Sequence, residues 1–504
     1  MAVGAGAAAA PWAGPAAQSL AAGARARRRG DELVELTALE AVAALRAGEL
    51  KAKAYVSALL RQASALEHLN SLIALDPDQV LAAAHAADKR RARSGAVGPL
   101  HGLPMLIKDN INTTAYPTTG GTPALQGNRP PRNAEVVGRL LRAGAIPFAK
   151  TNLHELAVGI TSNNAATGAV RNPYDPGKIP GGSSGGNGSA VAARICPASI
   201  GTDTAGSVRI PAALCGIASL RPTVGRYPGT GDPDAVTDFL TLSHTRDTPG
   251  PMARTVADVA LLDAVITDDD VTLRRRKLRG VRLGVDRTNF FENLDPDTES
   301  VTSHALRRLQ GCGVELIEVE VEDAQSLNAA ASLLAIGGFE AGLALPKYLS
   351  ANGTGISLEQ LSAGIASPDV RALFSVVGAI PEPVYLDAVQ VQRPKLQEAY
   401  RQAFHRHRLD ALVFPTTPLP ARPIGQDESV ELNGEQVPSF FTYIRNTDPG
   451  AGAGLPGVNV PVGLTPAGLP VGLELDGPAG SDRQLLALGL AIEEELGVLP
   501  APTP

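Results

Sequence analysis

The chain has 504 residues, of which 44% are hydrophobic and 19% charged, and its net charge is −6. This is long enough for a large core, has the balance of an ordinary globular protein, and carries no basic footprint for nucleic acid. The three scattered cysteines, Cys196, Cys215 and Cys312, make no zinc-ligand pattern and point to a reducing, cytoplasmic setting.

Residues 1–24 are mostly alanine and glycine, and Arg25, Arg27, Arg28 and Arg29 follow. A secretory signal places its positive charge before the apolar run, not after it. Residues 1–30 are therefore expected to be a disordered or over-extended start, with an export or organelle signal as the alternative. Thr37-Ala-Leu-Glu40 is a capping box that opens a helix running to Gly48. Further helices are expected over 53–69 and 78–93, the latter with Pro77 in its first turn. Beyond Leu100, strands alternate with helices: a strand over 105–107 ending at Lys108, a helix over 134–143 stopped at Gly144, and a strand over 145–149. This rhythm predicts a layered α/β sheet after a helical N-terminal segment. Residues 170–189 form a Gly/Ser/Pro loop, left by a short helix over 189–195. A strand, helix and strand are expected within 281–321. A buried strand is expected over 412–414, a strand over 469–475 and a helix over 482–496. The apolar run 327–345 contains Gly337, Gly338 and Glu340, and reads as a buried helix rather than a membrane span. With no internal repeat and no clear linker, residues 31–500 are expected to form one large domain.

Amide hydrolysis by a serine needs an activated hydroxyl, a stabilised oxyanion and a protonated leaving amine. None of the eight histidines lies in a motif with a serine; His101 and His154, nearest the glycine-rich stretch, read as structural. A lysine can take the place of histidine if desolvation or neighbouring groups lower its pKa. Lys108, at the end of an apolar strand, is such a lysine; taken alone it is equally a surface residue at a strand end. Gly-Gly-Ser-Ser-Gly-Gly (181–186) is also ambiguous alone. As a phosphate cradle it lacks the following Gly-Lys-Ser/Thr. As a nucleophile elbow it lacks a preceding strand, because 173–180 is rich in turns. As a linker it is merely flexible.

Three segments stand in order: Gly-Leu-Pro-Met-Leu-Ile-Lys-Asp-Asn (102–110), the Gly–Ser loop, and Gly-Thr-Asp-Thr-Ala-Gly-Ser-Val-Arg-Ile-Pro-Ala (201–212). Together they resemble the amidase signature family, most strongly over 95–225. The resemblance implies a single α/β/α layered domain with a mixed central sheet. It implies a Ser–cis-Ser–Lys triad of Ser207 as nucleophile, Ser183 as the bridging residue in a cis peptide, and Lys108 as base. Ser184 is then a supporting hydrogen-bonder. The backbone N–H groups of Thr204, Ala205, Gly206 and Ser207 would face the oxyanion. Asp203 and Arg209 are expected to brace the loop as a pair. Neither a metal nor an organic cofactor is expected. Most members carry glycine where this chain has Ala205, which keeps the donor but narrows the allowed backbone.

The stretches 243–259, 445–450, 454–457 and 468–477 resemble the indoleacetamide and mandelamide hydrolase branch, which cleaves primary amides of aryl-substituted acetic acids. Phe440, Phe441 and Tyr443 are equally readable as an aromatic pocket or as core. The alternatives are a broader arylamide, ester or carbamate hydrolase with the same triad, and, from another class, the glutaminase subunit of an amidotransferase complex. The expected partner is a small amide, with no nucleic acid or membrane; a homodimer is a further possibility drawn from the resemblance.

Overall fold

An eleven-stranded sheet organises the molecule. The computed structural model describes residues 30–95 and 97–502, so the expectation for residues 1–30 lies almost wholly outside the described residues. The strands are β1 (Leu72–Leu75), β2 (Pro104–Lys108), β3 (Ile146–Thr151), β4 (Ala198–Asp203), β5 (Ala218–Arg221), β6 (Thr248–Ala253), β7 (Arg282–Val285), β8 (Glu315–Glu318), β9 (Ala411–Pro415), β10 (Gly457–Leu464) and β11 (Pro470–Asp476). They lie in the order β1-β3-β2-β4-β6-β5-β10-β11-β9-β7-β8. β2 is parallel to β3 and β4, and β7 is parallel to β8 and β9; the other neighbours are antiparallel. Every residue of β2, β4, β6, β9 and β11 is buried. Side chains alternate between the faces of a strand, so both faces of the sheet are covered. The helices Val256–Thr267, Asp482–Leu496, Pro296–Gly311 and Arg209–Leu214 pack on the sheet. The architecture is the mixed, layered α/β sheet that the resemblance implies.

The N-terminal helices follow from their caps. Thr37 and Glu40 close the capping box, and Gly48 ends the helix Ala38–Ala47 at φ 77°, where a side chain would be strained. The next helices are Ala52–Ala65, followed by a single tight turn at Glu67–Leu69, and Pro77–Ser94, capped by Asp76. The strand expected over 145–149 is Ile146–Thr151, and the last helix is Asp482–Leu496.

Three expectations need correction. The short helix placed at 189–195 starts earlier, as Gly185–Ala192, so the last two residues of the Gly–Ser loop open its first turn. All eight of its residues are buried. A Cβ on Gly186 would lie 2.3 Å from the Asn152 carbonyl oxygen, and one on Gly185 2.3 Å from Ser162 Oγ. Close packing has overridden poor helix propensity there. The strands β1, β4, β5, β6 and β10 fall where no strand was expected, although β5 (Ala-Ser-Leu-Arg) and β10 (Val458, Val460, Val462, Leu464) do alternate. In β6, Pro249 and Pro251 lie opposite Thr202 and Ile200 of β4, beyond the short pairing with β5, which involves only Met252 and Ala253. Finally, the apolar run at 327–345 is two helices, Ala324–Ala330 and Leu333–Ala351, broken at Ser332. The whole stretch is long and apolar enough to cross a membrane by length and composition, yet it carries the buried Glu340.

Candidate active site

Lys108 ends β2, beside β4. Its Nζ donates to Ser183 Oγ at 2.8 Å, to Thr202 Oγ1 at 2.9 Å and to the Thr202 carbonyl at 3.4 Å. Burial pushes this ammonium down to about 7, against the opposing pull of the Asp203 and Asp247 carboxylates. Lys150, on the neighbouring β3, is equally buried, but Asp109 Oδ1 lies 3.3 Å from its Nζ. Lys150 therefore has a carboxylate counterion. Lys108 has none within 4 Å among the described residues and meets hydroxyls and a carbonyl instead. Lys108 thus faces the Ser183 hydroxyl with no carboxylate beside it.

The peptide bond between Gly182 and Ser183 is cis. Ser184 Oγ donates to the Thr202 carbonyl at 3.2 Å, and its N–H donates to the Ser207 carbonyl at 3.1 Å. The Gly–Ser loop thus lies against the loop that follows β4. Lys108 and Ser183 are fully buried, whereas Ser207 is 8% exposed and lines a cavity. Of the three, Ser207 is the one open to a substrate.

The loop around Ser207 is held from beneath. Asp203 accepts from the Gly206 and Val208 N–H groups at 2.9 and 3.1 Å, and from Arg209 Nε and Nη2 at 3.1 Å each. Arg221 Nη1 donates to the same carboxylate at 2.8 Å. Although burial opposes ionisation, the Arg209 and Arg221 guanidiniums hold the Asp203 carboxyl well below the usual carboxylate range. Arg209 also donates to Glu474 at 3.3 Å and to the Thr447 carbonyl at 3.1 Å. Thr447 Oγ1 in turn donates to the Ala205 carbonyl at 2.6 Å. Asp203 and Arg209, expected as a pair, are the centre of a larger network. Removing one partner of a buried ion pair leaves an uncompensated charge. Arg209→Met is expected to cost about 3–5 kcal/mol of stability in urea denaturation, with amide turnover lost alongside.

The expected oxyanion donors divide. The Gly206 N–H is directed at Asp203 Oδ1, so it serves the loop and not a ligand. The Ala205 and Ser207 N–H groups make no hydrogen bond among the described residues. Thr204 lines the cavity while its Oγ1 donates to Asp247 Oδ1 at 2.7 Å. Burial pushes the Asp247 carboxyl up to about 6.

A cavity opens in front of Ser207. Leu242, Leu333, Phe374, Val376, Val377 and Phe440 wall it. Its lining carries no charged side chain among the described residues. Of the three aromatics singled out, Phe440 lines the cavity, Phe441 is half exposed, and Tyr443 is core, its hydroxyl donating to the Pro420 carbonyl at 3.0 Å. His154 is structural: Nδ1 accepts from the Ser162 N–H at 3.1 Å, and Nε2 lies 2.9 Å from Asp369. Together with Glu155, which accepts from the Ser367 N–H at 2.7 Å, it ties the 366–374 segment to the cavity wall. His101 is buried, near Asp88, Arg90 and Arg91, and burial lowers its pKa.

Several members of the site escape a reading of the sequence. Thr202 sits inside the motif but has no chemistry of its own to single it out. Asn110 donates to Thr202 Oγ1 at 3.0 Å and is legible only as the neighbour of a lysine motif. Leu-Glu-Leu-Asp at 473–476 alternates, which reads as a half-exposed strand, yet Glu474 and Asp476 are both buried. Burial holds both carboxyls above their ordinary range, despite Arg209 nearby.

A family model for Amidase matches residues 54–486. Indoleacetamide hydrolase of Rhizobium radiobacter is 44% identical over 445 residues, covering 88% of this chain and 93% of that one. Mandelamide hydrolase of Pseudomonas putida is 40% identical over 494 residues, 94% of each chain. A crystal structure of an amidase superposes with a TM-score of 0.81 at 34% identity, covering 92% of this chain and 100% of the other. With the family matched over most of its length, the chain belongs to the Amidase family and is an amidase acting on C–N bonds.

Proposed function

We propose that the protein hydrolyses primary amides of aryl-substituted acetic acids to the acid and ammonia, through an acyl-enzyme on Ser207. The observation that carries this reading is a buried amine of near-neutral pKa, 2.8 Å from Ser183 Oγ, behind an apolar cavity that Ser207 lines. Neutral Lys108 accepts the Ser183 proton while Ser183 takes the proton of Ser207. The Ser207 oxygen attacks the amide carbonyl carbon. The Ala205 and Ser207 N–H groups meet the developing oxyanion. The proton returns through Ser183 to the leaving nitrogen, the C–N bond breaks and ammonia departs. Water then attacks the Ser207 ester by the same proton path and releases the acid. Indoleacetamide and mandelamide, the amides in the names of two relatives, both present an aryl group one carbon from the carbonyl. An apolar lining without charged side chains suits such a group. Glutamine would bring an ammonium and a carboxylate into the same uncharged space, at a large desolvation cost, which disfavours a glutaminase role.

The test is ammonia release by purified protein from indole-3-acetamide, mandelamide, phenylacetamide, an anilide, a carbamate and glutamine. Arylacetamides are expected to be turned over with kcat/KM at least about 100-fold above glutamine, the discrimination typical of a site that leaves charged groups unpaired. Preference for the anilide or the carbamate would move the substrate class.

A further inference from the structure

The helix Leu333–Ala351 forms one wall of the cavity through Leu333, Leu334, Gly337, Gly338 and Ala341. Its two adjacent glycines stand in different surroundings. A Cβ on Gly338 would lie 3.0 Å from the Val376 carbonyl oxygen and 3.1 Å from the Ile380 side chain. That glycine lets the helix lie close against the segment at 374–380. A Cβ on Gly337 would meet nothing within 4 Å. At about 100° per residue, position 337 lies about 40° from Leu333 and about 100° from Gly338, inside the arc of the helix that lines the cavity. Leu343, exposed to solvent, lies outside that arc. Gly337 has no left-handed φ that would demand glycine. Glycine inside a helix costs about 1 kcal/mol relative to alanine. Neither close packing nor backbone conformation accounts for glycine at 337. What it does is leave cavity space empty.

We infer that Gly337 sets the depth of the acyl pocket, its missing side chain being the room that the far ring of a bicyclic aryl group occupies. This rests on the reading of the cavity as the acyl site of Ser207. A side chain at 337 would shorten the pocket without touching the reacting atoms, so large acyl groups would be rejected and small ones kept.

The experiment compares wild type, Gly337→Ala and Gly337→Leu on propionamide, phenylacetamide and indole-3-acetamide. Both replacements favour the helix, so melting temperatures are expected at or above that of wild type. Gly337→Leu is expected to lose about 30-fold or more in kcat/KM on indole-3-acetamide while staying within about threefold on propionamide, with Gly337→Ala in between. A loss that is equal across the series, or no loss at all, in folded variants overturns the inference. A second readout needs no amide turnover: the rate at which methane-, phenylmethane- and naphthalenesulfonyl fluoride label Ser207, followed by intact mass. If wild type cleaves none of the arylacetamides, the proposed substrate class fails while this size series still tests Gly337. Slower labelling of Gly337→Leu by the naphthalene reagent alone supports the inference. Labelling ratios independent of reagent size, or no labelling of wild type, overturn it.

Discussion

Ser207→Ala is expected to abolish amide turnover, lowering kcat by about 10⁴-fold or more, the scale on which nucleophile removal acts in acyl-transfer enzymes. Ser207 Oγ forms the covalent bond between protein and substrate in the proposed cycle, and alanine cannot form it. The cavity walls and the Ala205 N–H remain, so the variant should still bind an arylacetamide with a Kd close to the wild-type KM. No hydrogen bond of Ser207 Oγ holds the loop among the described residues, and the Asp203–Arg209 network below is untouched. The melting temperature should therefore change little. Ammonia release tests the loss. A slowly cleaved arylacetate ester tests the chemistry: wild type should gain the acyl mass on the peptide containing Ser207, and the variant should gain none. Acylation mapped to Ser183 would reverse the roles of the two serines.

The three residues of this proposal were legible because each lies in a run whose neighbours are informative. Their convergence was not. Lys108 and Ser207 are ninety-nine positions apart in the chain, and they approach because β2 and β4 are parallel neighbours, with Leu106 opposite Ser199 and Ile107 opposite Ile200. Cap chemistry is local, so the N-terminal helices could be read from Thr37, Gly48 and Pro77. Of the strands buried throughout, β2, β9 and β11 could be read as apolar runs, whereas β4 (Ala-Ser-Ile-Gly-Thr-Asp) and β6 (Thr-Pro-Gly-Pro-Met-Ala) could not, being rich in small residues, glycine and proline. A different cause hid the burial of Glu474 and Asp476. Their alternation with leucines suggests a wet face, but that face is filled by Arg209, itself supplied from a helix more than 260 positions earlier. The cavity wall was the least readable part. Its residues come from 157–160, 204–207, 242, 333–341, 373–377 and 440–444, and no periodicity within one segment reports on a surface assembled from six.

Lys108→Met is expected to separate catalysis from stability. Without the amine, Ser183 has no base, and kcat/KM should fall by about 10³-fold or more, the upper range for general-base removal. In wild type the base is the neutral amine, so kcat/KM should fall about tenfold per pH unit once pH drops below about 7, the value to which burial lowers Lys108. Asp247 ionises at about 6 within the same environment, and its charge favours the protonated amine, so the acid limb extends over the range between these two values. The stability consequence runs in the same direction but in a higher pH window. In the unfolded chain Lys108 keeps its proton up to its ordinary value of 10.5, whereas in the folded protein it loses it at about 7. Between those values the unfolded state binds more protons, so wild-type stability rises with pH. The contribution is about 1.4 kcal/mol per pH unit within that window, and below pH 7 the full penalty of burying the charged amine is present. Methionine carries no such penalty. The difference in unfolding free energy, wild type minus Lys108→Met, should climb with that slope between pH 7.5 and 9.5 and flatten below pH 7. Urea denaturation at four or five pH values measures it. A flat difference across the window would mean that Lys108 keeps an ordinary pKa in the folded protein, and an ammonium at neutral pH cannot serve as the base for Ser183.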